Sequence, residues 1–484
     1  MQRLLMFVFV VVSRMVFAAE WEPEVRLTNN SYSDFSYWST QRRVVVDPQN
    51  RIHVAWYVMN SGLGTYRFQI YYKRYEPGSG WTDDTMISFD LYNQGFNSKH
   101  VCLACDSSGT VYAVWCAGPD DVTDDYIYLK TWSPDRGWDE NARLLSVSGP
   151  TIVKECATVS VTPDGHIHAV WLEGASIVHR ERVDTVWRAP AVVEGGSNYK
   201  AYPAVAGGSD NRVHLVWYGR AGTSGYYDVF YKVRTDTVWG HTENVSQGDR
   251  HQMYPSIAVN PVTGNPHIFW QCYGATDLVK RAVHRWRSVT GWQPTDTLSE
   301  RNDSLDQEPG QIIFTPDGLG HAVWSGKSQV WPNITQIRYA ERQLNGTWSN
   351  VINVTDTVNA KERPSIASGN GTSPNSIHAV WTDYRDGNAE IYYAGARPSQ
   401  AIGEINSGLF RVRQIPSVVS NVLYLACANR DGVVNGALFD ALGQKVMMLH
   451  SGANDVRNVK AGVYFLRLFS EGKVISGSKV IVAK

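Results

Sequence analysis

One pattern recurs seven times along this chain: a turn, a strand reading aliphatic-His-x-x-Trp, an aromatic strand, and then a strand led by a second Trp. Tandem units of this length bury their apolar faces against one another, so the repeat constrains the architecture before any single residue is considered. The first Trp falls at Trp56, Trp115, Trp171, Trp217, Trp270, Trp324 and Trp381, with spacings from 46 residues (171 to 217) to 59 (56 to 115). Three positions earlier stand His53, Tyr112, His168, His214, His267, His321 and His378. Gln69-Ile70-Tyr71-Tyr72, Asp228-Val229-Phe230-Tyr231, Gln336-Ile337-Arg338-Tyr339 and Glu390-Ile391-Tyr392-Tyr393 read as third strands, rich in residues that suit a pleated surface. Each unit therefore holds four short strands.

The second series, Trp81, Trp138, Trp187, Trp239, Trp292 and Trp348, has only six members. The seventh unit stops after Tyr393 and runs into Pro398-Ser399-Gln400 without an outer strand of its own. Trp21 is followed by Leu27 and Thr28 at the offsets that Ile87-Ser88 and Leu298-Ser299 keep from Trp81 and Trp292, so the N-terminus is expected to supply the missing strand. The expected fold is all-β: a seven-bladed β-propeller over residues 19–398, closed by the N-terminal strand, with no long open sheet edge. Fourteen of the 18 Trp belong to the two series and are assigned to packing between blades. The six histidines, one per blade, are spread around a ring and cannot converge on one ligand. Side-chain hydrogen bonds near the first turn are their expected role.

The ends of the chain bear on compartment. Gln2 and Arg3 precede an apolar run from Leu4 to Val12, and Val16-Phe17-Ala18 offers a small residue for cleavage, the pattern of a signal peptide over residues 1–18. The run is shorter than the ~20 apolar residues of a membrane-spanning helix, and no transmembrane segment is expected in the mature chain. With Lys+Arg 45 against Asp+Glu 46, no nucleic-acid partner is implied. Six cysteines in 484 residues do not make a disulfide framework. Cys102 and Cys105 form a C-x-x-C, but residues three apart in a strand face opposite ways, which favours buried packing over shared metal ligation. Neither a metal nor a cofactor is expected.

From about Ala401 the repeat ends, leaving residues 399–408 as a linker and 409–484 as a second domain. There Leu423-Tyr424-Leu425, Gly436-Ala437-Leu438-Phe439-Asp440 and Gly462-Val463-Tyr464-Phe465-Leu466-Arg467-Leu468 alternate in the manner of a small Ig-like β-sandwich. The Phe439-Asp440-Ala441-Leu442-Gly443-Gln444-Lys445-Val446 turn, the Gly462-Val463-Tyr464 strand and the basic terminal strand Lys479-Val480-Ile481-Val482-Ala483-Lys484 resemble the type A sorting domain of the bacterial type IX secretion system. Ile415-Pro416-Ser417 stands where that family usually shows Asn-Pro. The resemblance implies export to the periplasm, passage across the outer membrane by the type IX machinery, and a final location at the cell surface or outside the cell.

The propeller resembles the sialidase-like superfamily, in which units such as Val380-Trp381-Thr382-Asp383-Tyr384-Arg385-Asp386-Gly387-Asn388 through Ile391-Tyr392-Tyr393 are frequent. Sialidases proper are similar to six-bladed rings with Asp-box turns, an arginine triad and a Tyr-Glu pair. Here seven units are counted, and Ser133-Pro134-Asp135-Arg136-Gly137-Trp138 is only a shortened Asp-box. Secreted seven-bladed propellers also include polysaccharide lyases that use Tyr, His and Arg.

In a propeller, the connection into each innermost strand and the loop after the second strand open on one face, around the channel mouth. The aligned entry positions are Arg43, His100, Cys156, Tyr202, Tyr254, Glu308 and Arg363, and they do not repeat. Glu155, His251 and Glu362 adjoin them, and Glu173, Arg220, Asp383 and Arg385 overlie the same face. Arg43 and Arg363 are expected to lie close together with Glu308 beside Arg363, a cationic patch suited to a carboxylate sugar or another anion. Arg220 and Arg385 precede equivalent third strands and are expected to stabilise their turns. The leading functional reading is a glycan- or protein-binding propeller. The alternatives are a glycan-active lyase or hydrolase and a structural surface-layer protein. In the enzyme reading, Tyr202 or Tyr254 acts as base or nucleophile, His100 or His251 as acid-base partner, and Arg43 and Arg363 neutralise the substrate.

Overall fold

The structure is a computed structural model. It describes residues 19–397 apart from 37–41, 120–124, 222–224, 247, 275–276, 300–304 and 370–375, and residues 411–482 apart from 413–417, 420–421, 426, 429–434, 441–442, 450–451 and 471–472. The expected signal peptide, the linker and the Ile415-Pro416-Ser417 segment lie outside the described residues. The chain divides into two compact units, Met1–Ser399 and Gln400–Lys484.

Among the described residues, the first unit is built of seven antiparallel sheets, each running from an inner strand through a second and a third to a short outer one. The inner strands are Val44–Val46, Asn97–Cys105, Lys154–Val161, Lys200–Gly207, Arg250–Val259, Gln307–Phe314 and Lys361–Ser368, and they name sheets 1 to 7 in chain order. Each inner strand packs against the next, and that of sheet 7 packs against that of sheet 1, so the succession is cyclic. This is a β-propeller. Sheet 7 takes its outer strands from the N-terminus, where Trp21 pairs with Ala396 and Val25 with Tyr393. The tight turn after the inner strand places Asn50, Gly109, Gly165, Asn211, Gly264 or Gly318 in the left-handed region, which Gly and Asn adopt at least cost.

The repeated side chains explain why the sheets hold together. Every first Trp is buried. The His three residues before it reaches across its own sheet to the third strand: His53 Nδ1 to Tyr72 Oη at 2.6 Å, His214 to Tyr231 at 2.7 Å, His321 to Tyr339 and His378 to Tyr393 at 2.8 Å, His267 to His284 at 2.9 Å and His168 to His179 at 3.1 Å. Onto that partner ring the second Trp of the following sheet packs edge-on. Trp138 meets Tyr72, Trp239 meets His179, Trp292 meets Tyr231, Trp348 meets His284, Trp81 meets Tyr393, and Trp21 meets Tyr339. The displaced Trp21 thus occupies the place the other outer-strand Trp occupy. In four of the six the second ring nitrogen turns to the first turn, as in His53 to Asp47 and His168 to Thr162, both at 3.3 Å. In sheet 2 the Tyr112 hydroxyl donates to Asp106 instead, at 2.9 Å. Cys102 and Cys105 pack into different inter-sheet cores, as opposite faces of one strand require.

In the second unit, Gly462–Ser470 pairs antiparallel with Lys473–Val482 and with Asn435–Phe439, which pairs in turn with Lys445–Leu449. Val418–Val419 adds parallel to Lys473–Val482. The turn after Phe439 is closed by Asp440, whose carboxylate accepts from Gln444 N at 2.9 Å, with Gly443 left-handed at φ 78°. No helix among the described residues is long and apolar enough to cross a membrane.

Candidate functional site

The mouth positions share a backbone feature that the sequence did not reveal. In sheets 2, 3, 4, 5 and 7 the inner strand carries one extra residue opposite the first Trp, a β-bulge. The residue that opens the bulge is left-handed in all five: His100 at φ 63°, Cys156 at 55°, Tyr202 at 48°, Tyr254 at 55° and Arg363 at 55°. Glycine is the residue expected there, because a Cβ crowds the backbone at positive φ. In sheet 6 the bulge slips by one and lies opposite Ser325. Gly310 follows it, where a Cβ would stand 2.0 Å from Val323 O, so backbone contact replaces left-handed strain.

These bulges gather two clusters at the mouth. The first, on sheets 4 and 5, is aromatic. Tyr218 is only 3% exposed and follows Trp217 at the end of a second strand. Tyr202 stacks on it at 5.9 Å between centroids, while Tyr254 at 5.3 Å and Tyr227 at 5.5 Å meet it edge-on. Tyr199, 48% exposed, leans on Tyr218 and Tyr227. His251 lies between Tyr226 and Tyr227 and stacks on Tyr273 at 4.9 Å. The Arg220 guanidinium covers the Tyr227 ring at 4.7 Å and donates to its hydroxyl at 3.3 Å. Burial pushes the Tyr218 and Tyr254 phenols up, so both keep their protons, and burial beside Arg220 pushes His251 down, so it stays neutral.

The second cluster, on sheets 7, 1 and 2, is charged and largely satisfied within itself. Arg43 is 1% exposed and donates to the carbonyls of Arg363 at 3.2 Å and Pro364 at 3.3 Å. Burial, with the nearby Arg363 adding to it, pushes Arg43 down to about 9. Arg363 donates to Ser36 O at 3.3 Å and faces Glu362 at 3.7 Å, while the Tyr384 hydroxyl donates to Glu362 at 3.3 Å. His100 meets Tyr57 edge-on at 5.9 Å.

The expected anion patch is corrected on two points. Arg43 and Arg363 do come together, but Arg43 clamps the backbone bulge of sheet 7 instead of facing outward. Glu308 does not serve Arg363: its carboxylate is held by Lys280 at 2.7 Å and Gln271 at 3.1 Å. Glu173 accepts from Trp171 Nε1 at 2.8 Å, Cys156 is buried, and Glu155 is exposed beside Tyr199. Arg385 is bound by Asp383 and Glu24, the turn-stabilising role expected of it, whereas Arg220 stacks on an aromatic ring instead. Burial pushes the Tyr254 phenol up, away from the phenolate that a base would use.

Tyr199, Tyr218, Tyr226, Tyr227 and Tyr273 were not singled out from the sequence. One signal was available: Tyr57 and Tyr218 both follow the first Trp directly, and both became hubs of a mouth cluster. Among the described residues, no group of three or more His, Cys, Asp or Glu is placed to hold a metal ion.

No protein-family model matches the chain, and no curated protein sequence matches it. Among solved structures, the chain is similar to a protein of unknown function from Dyadobacter fermentans, at 12% identity and a TM-score of 0.49 over 79% of this chain and 100% of that one. It is similar to a polysaccharide lyase at 10% identity and 0.48, over 78% and 99%. An α-L-arabinanase from Penicillium chrysogenum, complexed with arabinobiose, matches at 12% and 0.43, over 61% and 92%.

Proposed function

We propose that this chain is an exported, surface-displayed or released seven-bladed propeller that binds a glycan or a protein through its channel mouth, with the tyrosine cluster of sheets 4 and 5 as the contact surface. The observation that carries this reading is Tyr218, buried at the base of a group of half-buried and exposed tyrosines flanked by His251 and Arg220. Aromatic faces with peripheral hydroxyls offer apolar area and hydrogen bonds together, at little cost in side-chain entropy. Binding is favoured over turnover because Tyr218 and Tyr254 are held protonated and His251 has no carboxylate partner among its hydrogen bonds. The C-terminal unit is proposed to be an Ig-like sorting domain that addresses the propeller to type IX secretion, and residues 1–18 its signal peptide.

The test is a glycan array with the full chain, alongside reducing-end and unsaturated-product assays. Binding without product, weakened in Tyr199→Ala and Tyr227→Ala, is the expected result. Product formation would move the assignment to the lyase or hydrolase reading, and no response on any glycan would turn the search toward protein ligands.

A further inference from the structure

The entry loop of sheet 4, Gly195-Gly196-Ser197-Asn198-Tyr199, delivers one ring to the mouth, and all five of its residues are exposed. Two glycines and no buried side chain leave such a loop little of its own to hold one conformation. Tyr199 nonetheless leans on Tyr218 at 6.1 Å and on Tyr227 at 5.4 Å between centroids. The next residue supplies the anchor. Lys200 is only 5% exposed, and its Nζ donates to Asn198 O at 2.9 Å and Gly196 O at 3.3 Å. It also reaches Ala175 O at 3.1 Å, in the turn between the second and third strands of sheet 3. An ammonium carries three protons, and three carbonyls receive them.

The same device stands two residues before the bulge in sheets 3 and 7. Lys154 Nζ donates to Gly149 O at 3.0 Å and Ile152 O at 2.7 Å, and Lys361 Nζ to Thr357 O, Val358 O and Asn359 O at 2.9, 3.0 and 2.6 Å. Sheet 4 departs from them at the residue paired with the lysine. Glu173 pairs with Lys154 and Asp383 with Lys361, each accepting from the first Trp of its sheet, at 2.8 and 3.3 Å. Opposite Lys200 stands Gly219. A Cβ there would fall 2.3 Å from Tyr199 O, which accepts instead from Arg220 N at 3.1 Å. The missing side chain lets the Tyr199 backbone close down beside Tyr218, which an acidic residue at 219 would prevent.

We propose, resting on the binding reading of the tyrosine cluster, that Lys200 is a positioning residue of that surface. With Gly219 making room, its ammonium fixes the loop 195–199 so that Tyr199 stands beside Tyr218 and Tyr227 before any ligand arrives. A ring placed beforehand costs the ligand less to order. Lys154 and Lys361 hold loops that carry no aromatic residue, so their role ends at stability.

The experiment compares Lys200→Met with Lys361→Met in the full chain. Both strip buried carbonyls of an ammonium and should lower the melting temperature alike, but two readouts should separate them. In Lys200→Met the Arg220 amide, whose acceptor is Tyr199 O, should exchange with solvent roughly tenfold faster. Affinity for the glycan-array polysaccharide that binds the unmodified chain most tightly should also fall roughly tenfold. Lys361→Met should leave both unchanged. If Lys200→Met does not fold, Gly219→Ala displaces Tyr199 with the lysine in place and should give the same two changes. Unchanged Arg220 exchange, or affinity lost equally in Lys361→Met, would overturn the proposal. If no glycan binds the unmodified chain, the glycan reading of the mouth falls separately, and the Arg220 amide alone decides whether Lys200 positions Tyr199.

Discussion

Three positions before the first Trp, six of the seven sheets carry the same His; five of the six are buried, and each bonds a Tyr or His of its third strand. At the entry of the inner strand, the residues are Arg43, His100, Cys156, Tyr202, Tyr254, Glu308 and Arg363. The contrast is not one of backbone, because five of those seven entry residues share a left-handed bulge. The interior circle repeats because each His must satisfy a partner ring across its own sheet where little water reaches, and few side chains can do so. In the mouth circle Arg43 and Cys156 are buried and the other five residues are partly exposed, so the fold prescribes the backbone there and leaves the side chain open. Local chemistry can then diverge, into an aromatic half on sheets 4 and 5 and an ion-paired half on sheets 7, 1 and 2.

Acid should separate the two circles most strongly. Burial depresses His168, His214 and His378 to about 4 and His321 to about 3, against an ordinary value of 6.5. Below pH 6.5 the unfolded chain takes up protons that the folded one refuses until about 4, so stability present at neutral pH is lost across that window. At about 2.5 kcal/mol per site between pH 7.5 and pH 4.5, the four sum to roughly 10 kcal/mol in a urea titration. Asp34, raised to about 7 mainly by burial, contributes with the opposite sign but is one site. A urea midpoint flat between those pH values would refute the neutral interior.

Tyr218→Ala should cost about 3 kcal/mol of stability and abolish ligand binding, because the aromatic half loses its base. Tyr199→Ala, at the exposed edge, should leave the urea midpoint within about 0.5 kcal/mol and still weaken binding. If both variants bind normally, the aromatic half is packing and nothing more. In the charged half, Arg43→Met should cost about 2 kcal/mol, by stripping two buried carbonyls of their donor, with ligand affinity unchanged. Loss of affinity at full stability would return Arg43 to the binding surface. The smallest effect is expected at a bulge: Cys156→Gly should shift stability by less than about 1 kcal/mol, since relief of left-handed strain offsets lost burial. Cys156→Val should cost more than that, because a branched side chain tolerates positive φ poorly.

Much of the fold was legible because the repeat is carried by large, buried side chains. The first Trp, the His before it and the displaced Trp21 are all readable at fixed offsets, and all pack as read. The two mouth circles were legible as positions but not as contacts. Counting placed Arg43 next to Arg363, yet it could not say that one turns inward to a carbonyl pair, or that Glu308 answers to Lys280 on a loop of the preceding sheet. Tyr199, Tyr226 and Tyr273 occupy loop and strand-end positions that do not recur, so nothing in the pattern marked them as neighbours of Tyr202 and Tyr254.

By itself, then, the sequence determined the number of repeated units, the strand that completes the last of them, and which His and Trp are structural. Those features follow from periodicity and from the need to bury large side chains, and both are local. The tertiary structure alone decided which mouth residues are already satisfied, which present aromatic surface, and that Arg42 reaches across to Val205 O on sheet 4. Those outcomes depend on bringing together residues from different sheets, and on the direction in which a bulge aims each side chain.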